Sequence, residues 1–286
     1  MNPNQMDQIV NLALREDRAR EDITTKSLVG RLDVSIADLV VKEDAVVCGL
    51  IVAKRVFQKL DRTVRFHSFC RDGQRVKKNT TIVSIRGKTR ALLAGERVAL
   101  NLLGHLSGIA TTAHRFVRAV VPYRVQILDT RKTTPGLRDL EKYAVRCGGG
   151  WNHRRDLSEM ILIKDNHRLV LEDGKKSLRE MIVHLKKTVK KPIEVEVDDL
   201  NEFMQVLAAR PNMILLDNMN EDQIRTAVRL RKKIKGRGIP LLEASGGITL
   251  QNVRRIARTG VDRISIGALT HSHKSIDISM ELRHAR

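Results

Sequence analysis

From residue 120 onward, short apolar runs alternate with segments of helical periodicity, and this alternation limits the folds open to the chain. Such repetition is typical of parallel βα units, in which a helix connects each strand to the next. We predict at least six strands, at residues 125–128, 160–163, 193–197, 213–216, 240–242 and 263–266. The pattern is typical both of a (β/α) barrel and of an open doubly wound sheet, and it does not choose between them.

Basic residues follow the carboxyl ends of the first strands, at the edge where both folds bind ligands. The candidate cations are Arg131, Lys132, His153, Arg154 and Lys164. Because arginine binds carboxylates and phosphates through paired N–H groups and lysine adds a compact charge, this set predicts a substrate with several anionic groups. One basic residue after a strand is more often a surface charge, so it is their convergence that favours a site.

Acidic and small residues follow the later strands at the same edge. Glu196 and Asp217 would coordinate a hard metal ion such as Mg²⁺ or stabilise a developing positive charge. The small residues after the last two strands are Ser245, Gly246, Gly247 and Gly267. Barrel enzymes often hold a phosphate there with backbone N–H groups, so a phosphorylated sugar would fit.

Some of these features have a purely structural alternative. The glycine turn at residues 148–150 is equally well explained as a helix C-cap. Glu243 would either face the barrel interior or pair with a neighbouring base. His105 and His114 lie in helical patterns and are interpreted as packing or surface residues.

The first 120 residues show no regular alternation and predict an α+β segment. Helices are predicted at residues 4–14 and 50–60, and strands within 34–47, 64–69 and 80–85. A long helical pattern follows at 89–120, where we expect Gly104 and Gly108 to interrupt or bend the helix.

The formal charge of +20 raises the question of a nucleic-acid partner. One helix has an apolar stripe formed by Leu178, Met181, Ile182, Leu185 and Val189. Its other faces carry Lys175, Lys176, Arg179, Lys186 and Lys187. The basic cluster RLRKKIKGR at residues 229–237 keeps nucleic acid open as an alternative, but two Tyr, one Trp and five Phe are too few for extended base stacking. We therefore predict solvated helix faces and no specific nucleic-acid site.

The N-terminal residues lack the pattern of a signal peptide, and the longest apolar run, residues 45–53, is far short of the ~18 residues of a membrane span. The three cysteines, Cys48, Cys70 and Cys147, include no CxxC pair. We therefore predict a cytoplasmic protein without a membrane segment, with three reduced thiols and neither a disulfide framework nor a zinc site.

The chain resembles the family of quinolinate phosphoribosyltransferase, also called nicotinate-nucleotide pyrophosphorylase (carboxylating). The matching stretches, in order along nearly the whole chain, are EDITT, AGERVALNLLGHLSGIATT, LDTRKTTPGLRDLEKYAVRCGGGWNHR, LIKDNH, EVEVD, ILLDN, EASGGI and ISIGALTHS. The resemblance implies an α/β protein with an N-terminal α/β sandwich domain at 1–107, rejoined by 268–286, and an incomplete (β/α) barrel at 108–267.

The resemblance also implies a reaction, in which quinolinate and phosphoribosyl pyrophosphate give nicotinate mononucleotide, pyrophosphate and carbon dioxide in NAD biosynthesis. It places the basic residues Arg131, His153, Arg154 and Lys164 around the quinolinate carboxylates and includes Thr133 among the substrate-binding residues. Lys132 would lie between the two substrates, and Glu196 and Asp217 would face the ribose and magnesium. Lys132, Lys164, Glu196 and Asp217 are thereby the predicted catalytic residues.

The same resemblance implies that Ser245, Gly246, Gly247 and Gly267 hold the 5′-phosphate. It further implies a homodimer with shared active sites, in which Arg97 enters from the neighbouring subunit. An alternative is a related transferase-like protein associated with molybdenum transport, which shares the DTRKT and GGG elements but resembles the chain less well at LIKDNH.

Overall fold

The computed structural model describes residues 3–172 and 177–284, which form two compact units. The first unit comprises Met1–His114, Thr133–Gly149 and Ala268–Arg286, and the second comprises Arg115–Lys132 and Gly150–Gly267. Lys175 and Lys176, assigned above to a solvated helix face, lie outside the described residues. The domain limits at residues 107 and 267 stay a prediction.

The helices and strands are numbered along the chain. The α-helices are α1 Pro3–Glu16, α2 Ile23–Leu28, α3 Leu50–Leu60, α4 Thr89–Ala119, α5 Arg138–Cys147, α6 Asp165–Glu172, α7 Leu178–Thr188, α8 Leu200–Ala209, α9 Glu221–Lys232, α10 Val253–Ala257 and α11 Ala268–His271. The strands are β1 Val34–Val41, β2 Ala45–Val46, β3 Arg65–Ser68, β4 Arg75–Val76, β5 Thr81–Lys88, β6 Gln126–Leu128, β7 Ile161–Ile163, β8 Ile193–Val197, β9 Met213–Asp217, β10 Leu241–Ser245, β11 Arg263–Ser265 and β12 Ile278–His284.

The first unit is built on an antiparallel sheet with the strand order β12, β1, β5, β3. Side chains of β1 alternate between the two faces, and Ala37, Leu39 and Val41 on one face are fully buried. The helix α3 buries Val56 and Phe57 completely. The strand β12 pairs with β1 along seven residues, so the end of the chain belongs to this sheet.

The long helix α4 is continuous from Thr89 to Ala119, so the predicted interruption at Gly104 and Gly108 is wrong. Both glycines instead permit a close approach of backbone. A Cβ atom at Gly104 would lie 2.7 Å from the carbonyl oxygen of Ile276, and one at Gly108 would lie 2.3 Å from that of Lys274. Glycine has a low helix propensity, but any larger residue at these positions would collide with the segment before β12.

The second unit contains six parallel strands in the order β6, β11, β10, β9, β8, β7. Strands β7 to β11 are neighbours in chain order and the order never reverses, whereas a doubly wound sheet has a reversal at its switch point. The sheet is therefore barrel-like. Among the described residues β6 and β7 are not paired with each other, which agrees with an incomplete barrel. Strand β8 is buried along its whole length, as expected of a strand covered on both faces.

Helix caps mark where the connections of this unit begin. Asp199 accepts hydrogen bonds from the first amides of α8, and Asn220 does the same for α9 in a capping box with Gln223. The strand β10 extends to Ser245, beyond its predicted end at residue 242. No helix in the described ranges is long and apolar enough to cross a membrane.

The basic residues of the second unit include several with structural contacts. The Lys186 ammonium donates to the carbonyl oxygen of Arg210 at 2.7 Å, and the guanidinium of Arg210 donates to the carbonyls of Lys235 and Arg237. Arg231 forms an ion pair with Asp262. The cluster at 229–237 therefore takes part in loop and strand contacts.

Candidate active site

The register of the second sheet directs a set of polar side chains to one face. Glu196 of β8 aligns with Leu215 of β9, which aligns with Glu243 of β10, and Asp217 aligns with Ser245 two residues further on. Because side chains two residues apart share a face, these polar groups point the same way. Asp217 and Ser245 lie two residues nearer the carboxyl ends of their strands than the row that contains Glu196 and Glu243.

Lys164 and Glu196 form an ion pair between the adjacent strands β7 and β8. Lys164 follows β7, and its Nζ atom lies 2.7 Å from Oε2 of Glu196. The Glu196 side chain is 8% exposed, whereas that of Lys164 is 43% exposed and reaches solvent. The carboxylate of this pair is therefore buried, whereas its ammonium group is accessible to solvent.

Asp217 ends β9 beside this pair. Burial, followed by the negative charge of Asp198, raises the pKa of the Asp217 carboxyl, and the positive charges of Lys164 and Lys132 act in the opposite direction. The side-chain amide of Asn218 donates to Oδ2 of Asp217 at 2.7 Å. Two carboxylates and two ammonium groups thus lie close together at the strand ends.

Two guanidinium groups meet at the neighbouring strand ends. Trp151 makes an isolated parallel bridge with Leu128 of β6, which brings the segment after it alongside Arg131. Arg154 donates from Nη1 to the carbonyl oxygen of Met160 at 3.0 Å. Burial, and then the charge of Arg131, lowers the pKa of Arg154. Like charges held together in this way favour an anionic ligand between them.

His153 is buried among acidic side chains of the sheet. Its backbone amide donates to Oδ1 of Asp129 at 2.9 Å. Its Nε2 atom lies 2.9 Å from Oε2 of Glu194 and 3.3 Å from Oε1 of Glu243, and both glutamates are fully buried. The Nε atom of Arg263 lies 3.4 Å from Oε2 of Glu243. Two buried acids are thereby compensated by an imidazole and a guanidinium, as buried charges require.

Opposing effects act on the protonation of His153. Burial lowers its pKa, but the contacts with Glu194 and Glu243 outweigh burial and raise the pKa to about 9. The backbone amide of Arg154, however, donates to Nδ1 at 2.8 Å, and this favours the neutral ring with its proton on Nε2. Burial, and then the charge of Glu243, raises the pKa of Glu194. His153, Glu194 and Glu243 therefore titrate as one coupled network rather than independently.

The turn after β10 requires glycine at one position. Gly246 has a φ of +90°, and a Cβ atom on it would lie 2.0 Å from Oδ1 of Asn218. The backbone amide of Asn218 donates to the carbonyl oxygen of Ser245 at 2.9 Å. Gly247 also has a positive φ, of +59°, and open space where a Cβ would stand. The turn therefore presents bare backbone to any ligand above it.

Comparison with known proteins assigns this arrangement to a family. The family model described as quinolinate phosphoribosyl transferase, N-terminal domain, matches residues 22–107, and the model for the C-terminal domain matches 109–281. The chain belongs to the quinolinate phosphoribosyltransferase family.

Individual relatives of the family match nearly the whole chain. Nicotinate-nucleotide pyrophosphorylase (carboxylating) of Mycobacterium leprae is 41% identical over 276 residues, which cover 96% of this chain and 95% of the relative. Quinolinate phosphoribosyltransferase (decarboxylating) 1 of Nicotiana glauca is 36% identical over 286 residues, covering 96% and 81%. The crystal structure of NadC from Streptococcus pyogenes has a TM-score of 0.93 and 39% identity, covering 100% of this chain and 99% of that one.

The residues that the resemblance to the quinolinate phosphoribosyltransferase family predicts as a site are divided between the two units. The second unit holds Arg131, Lys132, His153, Arg154, Lys164, Glu196, Asp217, Ser245, Gly246, Gly247 and Gly267. Arg97, exposed on α4, and Thr133 lie in the first unit. There the Oγ1 atom of Thr133 accepts a hydrogen bond from Arg138 at 3.0 Å. Gly148 is the C-cap of α5, which agrees with the structural interpretation of the glycine turn.

The buried network of His153, Glu194, Glu243 and Arg263 is not evident from the sequence. Glu194 went unnoticed, although the pattern IEVEV places it on the same face as Glu196. An acid in a wholly buried strand is a signal that would have identified it. Glu243 was interpreted as structural, facing the interior or pairing with a base, and it does both. Arg263 gave no comparable signal because it begins its strand.

Proposed function

We propose that this protein is a quinolinate phosphoribosyltransferase, which converts quinolinate and phosphoribosyl pyrophosphate to nicotinate mononucleotide, pyrophosphate and carbon dioxide. One observation carries the proposal. In this member of the family, Arg131 and Arg154 lie at the same edge of the sheet as the Lys164–Glu196 ion pair. The cations suit a dicarboxylate, and the carboxylates suit a cationic transition state.

Recognition of quinolinate is assigned to the basic groups. Burial is the main cause that lowers the pKa of Arg154, and the positive charge of Arg131 adds to it, so the two guanidinium groups repel each other in the free enzyme. A ring carboxylate bound between them would remove that repulsion and accept paired hydrogen bonds. Lys164 would contact the second carboxylate, with Lys132 directed to both substrates. His153 is buried beside them, and its Nδ1 atom accepts a hydrogen bond from the backbone amide of Arg154, which would fix the backbone that carries the arginine.

The transfer step is assigned to the two carboxylates. As the pyridine nitrogen attacks C1 of the ribose and the bond to pyrophosphate breaks, positive charge develops on the sugar. Glu196 and Asp217 lie on adjacent strands and face the same way, so both would stabilise that charge. Loss of carbon dioxide follows because the quaternary ring nitrogen accepts the electron pair left at ring position 2. No further organic cofactor is needed for this step.

The phosphate end of the substrate is assigned to the glycine turn. Gly246 and Gly247 expose backbone at the end of β10, beside Gly267 after β11. In barrel enzymes this position holds phosphate through N–H groups. Ser245 would add a hydroxyl donor. The contribution of these groups is to fix the ribose so that its C1 faces the ring nitrogen.

A magnesium ion fits the donor set that the two carboxylates provide. Mg²⁺ prefers oxygen ligands and is commonly held by one or two carboxylates together with substrate phosphates. Glu196 and Asp217 would hold it with pyrophosphate oxygens, and when bound it would neutralise charge on the leaving group. Lys132 and Lys164, which lie close to these carboxylates, would share that neutralisation.

The assembly and the location of the enzyme belong to the same proposal. We expect a homodimer in which Arg97 of one subunit completes the site of the other, because the residue is exposed on α4 rather than at a barrel strand end. A cytoplasmic location agrees with three free cysteines. The two curated relatives described above are named nicotinate-nucleotide pyrophosphorylase (carboxylating) and quinolinate phosphoribosyltransferase (decarboxylating), and neither name refers to molybdenum transport, so that alternative gains no support.

The proposal is tested by following the absorbance of quinolinate with purified protein. Consumption should require both phosphoribosyl pyrophosphate and magnesium, and nicotinate mononucleotide should appear by chromatography. Nicotinate is the matched control substrate, since it lacks one carboxylate and would leave part of the basic set unpaired. Equal turnover of the two acids, or no turnover of quinolinate under these conditions, would show that the assignment is wrong.

A further inference from the structure

Two of the cysteines, far apart in sequence, lie together inside the first unit. The Sγ atoms of Cys48 and Cys147 and a carboxylate oxygen of Asp72 all lie within 4.8 Å of one another. Cys48 comes just before Gly49, the N-cap of α3, and Cys147 is the last residue of α5. The third cysteine, Cys70, is not part of this cluster. Sequence alone predicted three separate reduced thiols.

Hydrogen bonds to the Asp72 carboxylate hold the segments that carry these two cysteines together. Oδ1 of Asp72 accepts hydrogen bonds from the amides of Gly49 at 3.0 Å and Leu50 at 3.1 Å. Its Oδ2 atom accepts one from the hydroxyl of Tyr143, on α5, at 2.9 Å. A Cβ atom at Gly73 would lie 3.2 Å from the carbonyl oxygen of Cys147, so the chain after Asp72 also approaches the end of α5 closely. The proximity of the two sulfurs is therefore a consequence of the fold.

The two thiols have different surroundings. Cys48 is fully buried, and its amide donates to Oγ of Ser107 at 3.0 Å, whereas Cys147 is only partly buried. Hydrogen bonding from Cys48, and then from Tyr143, lowers the pKa of Cys147 against the effects of burial and Asp72. The same contact with Cys147, together with burial, raises the pKa of Cys48. Cys147 is thus the more accessible of the two thiols, and its neighbours favour its thiolate form.

A metal ion fits this cluster less well than thiol chemistry does. Both oxygens of Asp72 already accept hydrogen bonds, from two amides and from Tyr143. A cation bound by this carboxylate would displace the tyrosine hydroxyl from it. The two sulfurs, by contrast, lie within 4.8 Å of each other, and a disulfide between them would leave the hydrogen bonds of Asp72 intact.

We propose that Cys147 and Cys48 form a peroxide-reactive dithiol that closes to a disulfide. The Cys147 thiolate attacks one oxygen of hydrogen peroxide, the O–O bond breaks, and a sulfenic acid and hydroxide result. The sulfur of Cys48 then attacks the sulfenic sulfur, forming the S–S bond and expelling hydroxide, which takes up the Cys48 proton as water. In total two thiols are oxidised and one peroxide is reduced to two waters.

Cys70 provides the matched control. It is also partly buried and lies in the same unit, but burial, and then the charge of Asp72, raises its pKa to about 11. Its thiol contacts the carbonyl oxygen of Ile82 at 3.9 Å rather than another sulfur. Cys70 should therefore stay a thiol when the pair is oxidised.

The test treats the full-length reduced protein with equimolar hydrogen peroxide, alkylates the remaining thiols and maps peptides without reduction. We expect a Cys48–Cys147 disulfide and alkylated Cys70 in the wild type and an unchanged cross-link in Cys70→Ser. Cys147→Ser should form no cross-link. Cys48→Ala should stop at a Cys147 sulfenic acid, which dimedone traps as an adduct.

The wild-type map decides the question even if a variant at the buried Cys48 position does not fold. Recovery of Cys48 and Cys147 as separate alkylated thiols, while peroxide is consumed or Cys70 is oxidised, would overturn the proposal. Equal oxidation of all three cysteines without a cross-link would overturn it as well, because the difference between the two thiols would then have no chemical effect.

Discussion

Replacing Glu196 with glutamine tests the proposed mechanism most directly. The side chain keeps its shape but loses the negative charge that we assign to stabilising the ribosyl cation. A unit charge about 4 Å away at an effective dielectric constant of about 20 contributes about 4 kcal/mol. Lys164, 2.7 Å away and partly exposed, offsets some of this, and the amide dipole retains a little more. A loss of about 2.7 kcal/mol remains, which corresponds to about 10² in kcat.

Quinolinate binding should respond differently from turnover. The variant leaves the ammonium of Lys164 without its acid, so the affinity for a dicarboxylate should be unchanged or slightly higher. The assay is steady-state kinetics at saturating substrates, with quinolinate affinity measured separately by calorimetry. A loss confined to kcat indicates an interaction made in the transition state.

Asp198→Asn is the matched control. Asp198 directly follows β8, its side chain is 54% exposed, and it pairs with Arg168 at 2.7 Å. An exposed ion pair contributes less than about 1 kcal/mol, so kcat should fall by less than about five-fold. Wild-type turnover in the Glu196 variant, or an equal loss in both variants, would refute the proposed role of Glu196.

Three further predictions concern assembly, protonation and packing. Arg97→Ala and Lys164→Ala should each be nearly inactive. An equal mixture that exchanges subunits should regain roughly a quarter of wild-type activity, since half of the dimers then have one intact site. Exchange without recovery of activity would contradict a shared site. Because the pKa of His153 is raised from 6.5 to about 9, the stability that its charge contributes is full below pH 6.5 and lost as the pH rises through about 9. Denaturant unfolding of wild type and His153→Gln should therefore differ by up to about 3 kcal/mol at low pH and converge above pH 9, and a pH-independent difference would exclude the charged ring. Gly108→Ala should lower stability by about 1–3 kcal/mol, because its Cβ would lie 2.3 Å from the carbonyl oxygen of Lys274; an unchanged melting temperature would show that the segment can move away.

Much of the barrel-like unit could be predicted from residue order. Apolar runs with charged ends are local features, and a parallel strand sends its last residues to one edge whatever its neighbours are. Lys164, Glu196 and Asp217 accordingly lie close together at the strand ends, and the roles predicted for them stay a prediction. The choice between a barrel and a doubly wound sheet needed the order of the strands, which local patterns do not contain.

The paired cysteines and the enclosed acids were decided by tertiary structure alone. Cys48 meets Cys147 because Asp72 ties the start of α3 to α5, and neither the spacing of the cysteines nor their neighbours in sequence indicates this. Likewise, His153 reaches Glu194 only through the register between strands.

What the sequence by itself determined is the type of the elements with a clear apolar pattern, the end of each barrel strand that carries polar residues, and the family. What only the tertiary structure decided is which distant groups share a proton or a thiol contact. The difference has a physical reason. Periodicity and caps depend on residues within a turn or two of helix, whereas the pKa of His153 and the reactivity proposed for Cys147 depend on contacts a few ångströms long between segments far apart in the chain.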